Sequence, residues 1–221
     1  MESLMCCVGV RCRYNRTRFG DPLDVRHEWG GLEDYIDGYA HVWTRTQDIH
    51  LMFKGALYYL YDPRTERVLP GYPRRIAHDF HGPPTPKRPR GRSIPNNIDT
   101  VYFDKRDENL YFIKGKKVYG YEVSKGSKGC CLPGYPRRVR EEFPPAHPSI
   151  QRLPRALDAA YYSYTDQKLY FLKDRLFWEV STFHPHDKHR NNSVVGPFYV
   201  YDKWRDICDT DIDPLDASTV N

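Results

Sequence analysis

The chain has 221 residues, of which 39% are hydrophobic and 14% aromatic, enough apolar material for one large domain or two small ones. Its 34 basic and 29 acidic residues give a formal charge of +5, so the surface charge is mixed and the composition does not call for a nucleic-acid partner. No apolar stretch approaches the about 18 residues of a transmembrane segment, and the first residues lack the basic start and long apolar run of a secretory signal peptide.

Three segments of similar length follow one another and share a pattern. They open at Ile36-Asp37, Ile98-Asp99 and Leu157-Asp158. Each continues with an apolar run that ends in Lys-Gly or Lys-Asp and then with a run rich in aromatic residues; the paired runs are 51–55 with 58–61, 111–115 with 118–121, and 170–174 with 176–180. Short apolar and aromatic runs between tight turns predict a meander of β-strands. Repetition of this unit favours a β-propeller, in which small sheets pack around an axis.

A proline-bounded corner closes the first two segments. The string LPGYPRR occurs at 69–75 and again at 132–138. Its second proline suits the first position of a helix, because the missing N–H would have no intrahelical partner there. Apolar residues four apart then share a helix face: Ile76 with Phe80, and Val139 with Phe143. We expect the corner to end each sheet and start a short helix, with its arginines and the later pair Glu141-Glu142 on the surface.

The order of these motifs resembles the hemopexin-like repeat. An (Ile/Leu)-Asp opening, a Tyr-Phe-x-Lys-Gly strand, an aromatic strand and a Pro-Gly-Tyr-Pro-Arg-Arg exit to a helix ending in Phe occur in that order, and the match runs from residue 15 to 209. Such repeats build the propeller domain of vertebrate matrix metalloproteinases. The stretches at 15–23, 160–164 and 203–209 look like the carboxy-terminal domain of one member of that family. The resemblance implies an all-β fold, a hemopexin-like four-bladed β-propeller with short helices after the blades.

The resemblance also implies how the chain is divided. The predicted divisions are an unmatched start at 1–12, a remnant of blade 1 at 13–34, blade 2 at 35–82, a Pro/Arg-rich basic loop at 83–97, blade 3 with its exit helix and linker at 98–156, blade 4 at 157–209 and an acidic tail at 210–221. Because the inner strands of blade 1 have no match, we expect the first blade to be incomplete. The unmatched start suggests a truncated or misassembled gene model, and the resemblance implies that the chain is a carboxy-terminal fragment.

The resemblance has a consequence for catalysis. Matrix metalloproteinases cleave peptide bonds with a zinc ion held by a His-Glu-x-x-His helix. Here His27-Glu28 is the only His-Glu pair, and Gly31 occupies the position of the second histidine. The resemblance therefore implies that Zn²⁺ belongs only to a catalytic domain missing from this chain, and that the chain is not an enzyme on its own residues.

The function that the resemblance implies is a non-catalytic module of a secreted metalloproteinase. Such a module recognises protein substrates, protease inhibitors or extracellular-matrix components. Two alternatives stay open. The chain could be part of a zinc-dependent metalloendopeptidase whose catalytic domain is missing here, or a free hemopexin-like protein that binds a ligand.

Three aspartates are candidate metal positions. Asp37, Asp99 and Asp158 begin the innermost strand of each complete unit. The resemblance implies a cation in the central channel, bound by main-chain carbonyl oxygens at these positions, and Ca²⁺ accepts such oxygen ligands. The alternative is that each aspartate caps its strand or bonds a neighbouring backbone amide.

A basic cluster is a candidate anion site. Lys87, Arg88, Arg90 and Arg92 lie in a proline-rich stretch, where prolines prevent regular pairing and the charges prevent burial. We expect an exposed, partly extended loop. A sulfated glycan or an acidic partner is the candidate ligand, and simple solvation of the charges is the alternative.

The resemblance implies an interblade disulfide at Cys208, with Cys6, Cys7 or Cys12 as the candidates to substitute for its missing partner. The family ties its first blade to its last by a disulfide, and Cys208 occupies the last-blade position while its usual partner falls in the missing strand. We do not expect the adjacent residues Cys130 and Cys131 to bond with each other, because the geometry is strained.

Two further features depend on cellular location or on loop structure. Asn15 and Asn191 begin glycosylation sequons, which are used only if the chain enters the secretory pathway. His184, His186 and His189 form the densest histidine group, within a polar loop. A solvated turn and a zinc site are the two interpretations of that group.

Overall fold

The fold is described from a computed structural model of the chain. The structure describes residues 29–32, 35–87, 89, 91–123, 129–163, 165–180 and 192–204 and, as backbone, four two-residue strands nearer the amino terminus. These short strands form two antiparallel pairs, β1 (Cys6–Cys7) with β2 (Val10–Arg11) and β3 (Tyr14–Asn15) with β4 (Arg18–Phe19).

Three antiparallel sheets among the described residues form blades 2, 3 and 4, with their main strands in sequence order. Blade 2 contains β5 (Gly38–Trp43), β6 (Asp48–Lys54), β7 (Leu57–Asp62), β8 (Arg67–Val68) and β9 (Arg74–Arg75), followed by α1 (Ile76–Asp79). Blade 3 contains β10 (Thr100–Asp104), β11 (Asn109–Lys114), β12 (Lys117–Glu122), β13 (Gly129–Cys130) and β14 (Arg137–Arg138), followed by α2 (Val139–Glu142). Blade 4 contains β15 (Ala159–Ser163), β16 (Lys168–Lys173), β17 (Leu176–Val180) and β18 (Val194–Tyr199), followed by α3 (Val200–Lys203).

The predicted all-β propeller class is confirmed by these sheets. The first strand β10 of blade 3 contacts the first strands β5 and β15 of its two neighbours, which makes the first strand the innermost one of a blade. The helices of the described residues are single turns of four residues, too short to cross a lipid bilayer.

The turn between the second and third strands is the same in the three blades. Gly55, Gly115 and Asp174 occupy it with φ angles of 60°, 59° and 53°. This left-handed region costs glycine no steric energy, and a short polar side chain such as aspartate tolerates it. The Lys-Gly and Lys-Asp pairs of the sequence therefore mark a required backbone conformation.

Aromatic side chains fill the space between blades 2 and 3. Phe53 of β6 and Phe112 of β11 meet edge to face with ring centroids 5.1 Å apart. Phe80, the residue after α1, packs edge to face against both rings at 5.4 Å and 5.7 Å. This arrangement is favoured because the positive edge of one ring meets the negative face of another. The exit helix thus supplies the side chain that fills the interface.

Phe143, the residue after α2, has the same place between blades 3 and 4. Its ring centroid lies 4.7 Å from that of Phe171 in β16 and 6.1 Å from that of Tyr102 in β10. Phe143 and Phe171 are buried. The spacing of Ile76 with Phe80 and of Val139 with Phe143 therefore marks residues that join consecutive blades.

The arginine of the repeated corner has a structural partner, which corrects the expectation that it points only to solvent. Arg74 Nη2 donates a hydrogen bond to Asp79 of α1 over 2.8 Å, and the Tyr58 hydroxyl donates to the other carboxylate oxygen over 2.9 Å. Half of the Arg74 side chain is still exposed. The Arg74 guanidinium therefore links the corner at 69–75 to α1, the helix that follows it.

Glu142 in the equivalent helix of blade 3 is buried, whereas the sequence analysis placed it on the surface. Its carboxylate accepts hydrogen bonds from three side chains: Arg137 over 3.0 Å, Tyr135 over 2.9 Å and Asn192 over 2.9 Å. Asn192 in turn accepts a hydrogen bond from Arg106 Nη2 over 2.7 Å. Because Asn192 belongs to the segment before β18, this network joins blades 3 and 4 and compensates the burial of the charge.

Cys130 and Cys131 are joined by a disulfide, contrary to the expectation from sequence. The peptide bond between them is cis and places their Cα atoms 2.9 Å apart, whereas a trans bond places them about 3.8 Å apart. The Cys130 side chain is buried in the core between blades 2 and 3.

The role of Phe80 can be tested by truncation. We expect Phe80→Ala to lower the free energy of unfolding by about 3–5 kcal/mol, because it removes a ring that contacts both blades and leaves a cavity. Urea denaturation followed by circular dichroism measures this change. The exposed Leu69→Ala in the same corner is the control and should change the free energy of unfolding by less than about 0.5 kcal/mol. Equal effects of the two substitutions would contradict the role assigned to Phe80.

Candidate functional site

The aspartates at the start of the blades bond the turn between the second and third strands. In each blade one carboxylate oxygen accepts a hydrogen bond from the backbone N–H of the residue in the left-handed turn conformation: Asp37 from Gly55, Asp99 from Gly115 and Asp158 from Asp174. The side chains therefore serve the local role that the sequence analysis gave as the alternative.

Lysine side chains bind the other carboxylate oxygen in two blades. Lys114 Nζ donates to Asp99 Oδ1 over 2.9 Å, and Lys173 Nζ donates to Asp158 Oδ1 over 2.6 Å. The hydrogen bond to Asp158 raises the pKa of Lys173. Because these carboxylates already have partners, a channel cation would be bound by main-chain carbonyl oxygens, as the resemblance implied. Ca²⁺ binding at these positions stays a prediction.

A cluster of possible metal ligands that the sequence analysis missed lies on β5 and β6. Antiparallel pairing places His41 directly opposite His50, and Asp48 two residues from His50 on the same face. The imidazole rings are stacked, with centroids 4.2 Å apart and an interplanar angle of 10°. Their Nε2 atoms approach one oxygen of Asp48, at 2.7 Å for His41 and 3.9 Å for His50. These three residues are called the His-Asp cluster below.

The surroundings of the His-Asp cluster lower the pKa of Asp48 and the pKa of His50. The hydrogen bond from His41, together with the nearby positive charges, lowers the pKa of Asp48. Burial lowers the pKa of His50, and the neighbouring His41 acts in the same direction. The Tyr39 hydroxyl forms a hydrogen bond of 2.7 Å with His50 Nδ1 and so fixes the orientation of that ring.

A signal for the His-Asp cluster was present in the repeat. Counting from the Ile-Asp openings, the pair His41 and His50 corresponds to Phe103 opposite Leu110 in blade 3. The spacing of the two histidines matches no common ligand motif, which is why inspection of motifs alone missed them. Comparing the three segments position by position would have shown histidines where another blade has apolar residues.

The basic loop leaves the propeller between blades 2 and 3 through a closed base. The N–H of Gly82 donates to the carbonyl oxygen of Arg92 over 2.8 Å, and the N–H of Ile94 donates to Phe80 over 3.0 Å. A Cβ on Gly91 would lie 2.0 Å from the Gly82 oxygen, so this approach requires glycine. Lys87 is exposed, whereas Ile94 is already buried between the blades.

Several predicted residues lie outside the described part of the chain. These are Arg88, Arg90, Asn191, Cys208 and the histidines at 184, 186 and 189. Asn15 lies in β3, which is described only as backbone. The proposals for a basic site, for glycosylation and for a Cys208 bridge therefore stay predictions at these positions.

Solved structures with this fold show which class of protein the blades define. The structure of the hemopexin fold protein CP4 from cow pea superimposes with a TM-score of 0.60 at 18% identity, over 89% of this chain and 86% of that chain. A seed albumin from Dolichos superimposes with a TM-score of 0.63 at 20% identity, over 91% and 92% of the two chains. The family model described as Hemopexin matches residues 51–84. The chain is a hemopexin-like β-propeller domain.

Sequence comparison identifies its relatives among the matrix metalloproteinases. The chain is related to matrix metalloproteinase-21: it is 32% identical to the Homo sapiens protein over 215 residues, and 36% identical to the Danio rerio protein over 209 residues. These matches cover 92% and 89% of this chain but only 35% and 32% of the relatives. Stromelysin-2 of Rattus norvegicus is 28% identical over 61% of the chain. The chain thus spans about a third of the length of these metalloproteinases, and its relationship to them confirms the resemblance seen in the motifs.

Removal of one turn-binding aspartate tests the local role of these residues. We expect Asp99→Ala to lower the free energy of unfolding by about 1–3 kcal/mol, because it leaves the Gly115 N–H without its acceptor in a site where the Asp99 side chain is 10% exposed. Thermal and urea denaturation measure the change. Glu141→Ala removes an exposed acidic residue and is the control, with an expected change below about 0.5 kcal/mol. An unchanged stability of Asp99→Ala would contradict this role.

Proposed function

We propose that the chain is the recognition module of a secreted zinc-dependent metalloendopeptidase, and that it binds a protein substrate, an inhibitor or a matrix component outside the cell. The observation that carries the proposal is its identity to matrix metalloproteinase-21 over nearly the whole chain, with 35% of the human relative covered. The sequence has no His-Glu-x-x-His motif, so in this proposal the catalytic Zn²⁺ is bound by another domain of the enzyme.

Calcium is part of the same proposal, as a structural ion rather than a reactant. The residues at the start of the blades fit Ca²⁺ in one respect, because main-chain carbonyls are oxygen donors of the kind that this cation accepts. The aspartate side chains would then fix the backbone that presents those carbonyls. A Ca²⁺ ion bound in this way would hold the innermost strands together.

We propose the basic loop as a contact surface for sulfated glycans. Lys87 is exposed and flanked by prolines, which restrict the backbone and prevent strand pairing. The closed base between Gly82 and Arg92 brings the two ends of the loop together, so its four basic residues are held in one short segment. Clustered positive charge attracts sulfate groups without requiring a pocket.

The size of the natural protein tests the proposed module. We expect an antibody against blade 4 to detect a band much heavier than 26.1 kDa in tissue secretions under reducing conditions, because a catalytic domain would belong to the same polypeptide. An excess of the purified 221-residue chain should then slow cleavage of a protein substrate by this enzyme but leave cleavage of a short peptide unchanged.

Two outcomes would contradict that function. A band near 26.1 kDa would favour a free hemopexin-like binding protein instead. Equal inhibition of protein and peptide cleavage would mean that the chain does not act through substrate recognition.

Heparin chromatography tests the proposed glycan contact. We expect the variant with Lys87, Arg88, Arg90 and Arg92 replaced by alanine to elute at a lower NaCl concentration than the wild-type chain, because clustered charges act together on a sulfated polymer. The control variant replaces basic residues elsewhere by alanine: Arg45, Lys116, Lys117 and Arg152. Both variants lose the same net charge. Elution of both at the same salt concentration would show that the loop has no special role.

A further inference from the structure

We propose that His41, Asp48 and His50 form a binding site for a divalent transition metal, with Zn²⁺ as the representative ion. The three ligand atoms, one from each side chain, lie within 4.8 Å of one another. Two imidazoles with one carboxylate form a donor set that suits zinc and related ions rather than Ca²⁺ or Mg²⁺. This site is separate from the channel positions and from the recognition role proposed above.

The distances are close to those of a zinc site, and binding requires the stacked imidazoles to rotate so that their lone pairs converge and His41 Nε2 to release the proton that it donates to Asp48. Ligands about 2.1 Å from a tetrahedral zinc ion are about 3.4 Å from each other. The observed separations from Asp48 Oδ1 are 2.7 Å to His41 Nε2 and 3.9 Å to His50 Nε2, one shorter and one longer than that value. The Asp48 side chain is 73% exposed and can rotate to equalise them. The ion would lie between the two Nε2 atoms and this carboxylate oxygen.

A neighbouring hydroxyl group supports the orientation that a ligand needs. Tyr39 bonds Nδ1 of His50 over 2.7 Å. When Nδ1–H donates to that hydroxyl oxygen, Nε2 presents its lone pair toward Asp48. Hydrogen bonds of this kind to the second ring nitrogen accompany metal-binding histidines in general.

The repeat provides an independent argument for a special role. The positions of His41 and His50 are filled by Phe103 and Leu110 in blade 3, both buried between blades. The His50 position in blade 4 is filled by Leu169, which is also buried. Partly buried histidines at positions where the fold accepts apolar side chains give up packing and desolvate polar atoms. The hydrogen bonds with Tyr39 and Asp48 offset part of this cost, and a bound metal ion would offset more of it.

The same comparison supplies variants that remove the ligands but suit the fold. His41→Phe with His50→Leu introduces the residues that blade 3 carries at these positions. Asp48→Asn changes only an exposed carboxylate, and Tyr39→Phe removes the hydroxyl that orients His50. The control variant replaces His184, His186 and His189 by alanine, which removes the other dense histidine group of the sequence.

Zinc titration of the full 221-residue chain, purified without a histidine tag and treated with a chelator, tests the site. By calorimetry we expect a zinc site whose affinity falls more than about 100-fold in the His41→Phe, His50→Leu variant and about tenfold in Tyr39→Phe, because loss of an outer hydrogen bond alone costs about 10–100-fold. The triple-alanine control should retain it. With Co²⁺, the absorption spectrum should show nitrogen and oxygen ligands without a thiolate charge-transfer band.

Specific results would overturn the site. Unchanged zinc affinity in the folded double variant would do so, as would loss of binding in the triple-alanine control alone. A thiolate band with Co²⁺ would assign binding to cysteine instead. Circular dichroism checks the fold of each variant. If the double variant does not fold, Asp48→Asn decides: an affinity lowered at least about tenfold supports the site, and an unchanged affinity contradicts it.

Discussion

Each blade carries apolar side chains on both faces of its sheet, so the fold depends on covering both faces at once. In blade 3, Phe112 faces the core shared with blade 2, while the adjacent Ile113 faces the core shared with blade 4. An antiparallel sheet in water exposes one face at little cost, but a sheet with two apolar faces needs a neighbour on either side. Phe80 and Phe143, the residues after the exit helices of blades 2 and 3, meet this need by inserting between consecutive blades. The corner that directs each residue is therefore as important to the fold as the strands.

Apolar side chains also cover the face of blade 2 that does not contact blade 3. Trp29 and Leu32 pack there against Met52, Tyr59 and Tyr61. Trp29 follows Val25 at the spacing by which Phe80 follows Ile76, so a residue at the repeated aromatic position covers this face too. Backbone hydrogen bonds also hold the segment: the Gly30 N–H donates to the Glu66 oxygen, and the Val68 N–H of β8 donates to the Gly30 oxygen. Blade 2 thus has aromatic residues against both of its faces, contributed by chain segments before and after it.

The sequence predicts the strands, the turns and the exit aromatics because each depends on a local pattern that recurs, three times for the turn after the second strand and twice for the LPGYPRR corner. Lys-Gly precedes a left-handed turn at Gly55 and Gly115, whereas Gly129 lies in β13. The proline of the corner was expected at the first helical position, but the two-residue strands β9 and β14 follow it and the helices begin three residues later. The buried carboxylate of Glu142 could not be predicted in this way. A single-turn helix is too short to show a periodic pattern, and the partners of Glu142 include Asn192, which is distant in sequence.

Comparison of equivalent positions in the three blades distinguishes residues that build the fold from residues that serve another role. Arg74 and Arg137 hold equivalent positions and bind equivalent carboxylates, which makes them structural in spite of their exposed charge. Lys87 lies in the linker between blades 2 and 3, where no contact of its charge repeats from blade to blade among the hydrogen bonds and ion pairs described above. His41 and His50 are a third case, since they occupy shared positions with residues of different chemistry. Where blade 2 has histidines and blade 3 has apolar residues at the same positions, blade 2 loses packing that blade 3 retains. Such a difference indicates a function more strongly than an extra charge in an inserted loop does.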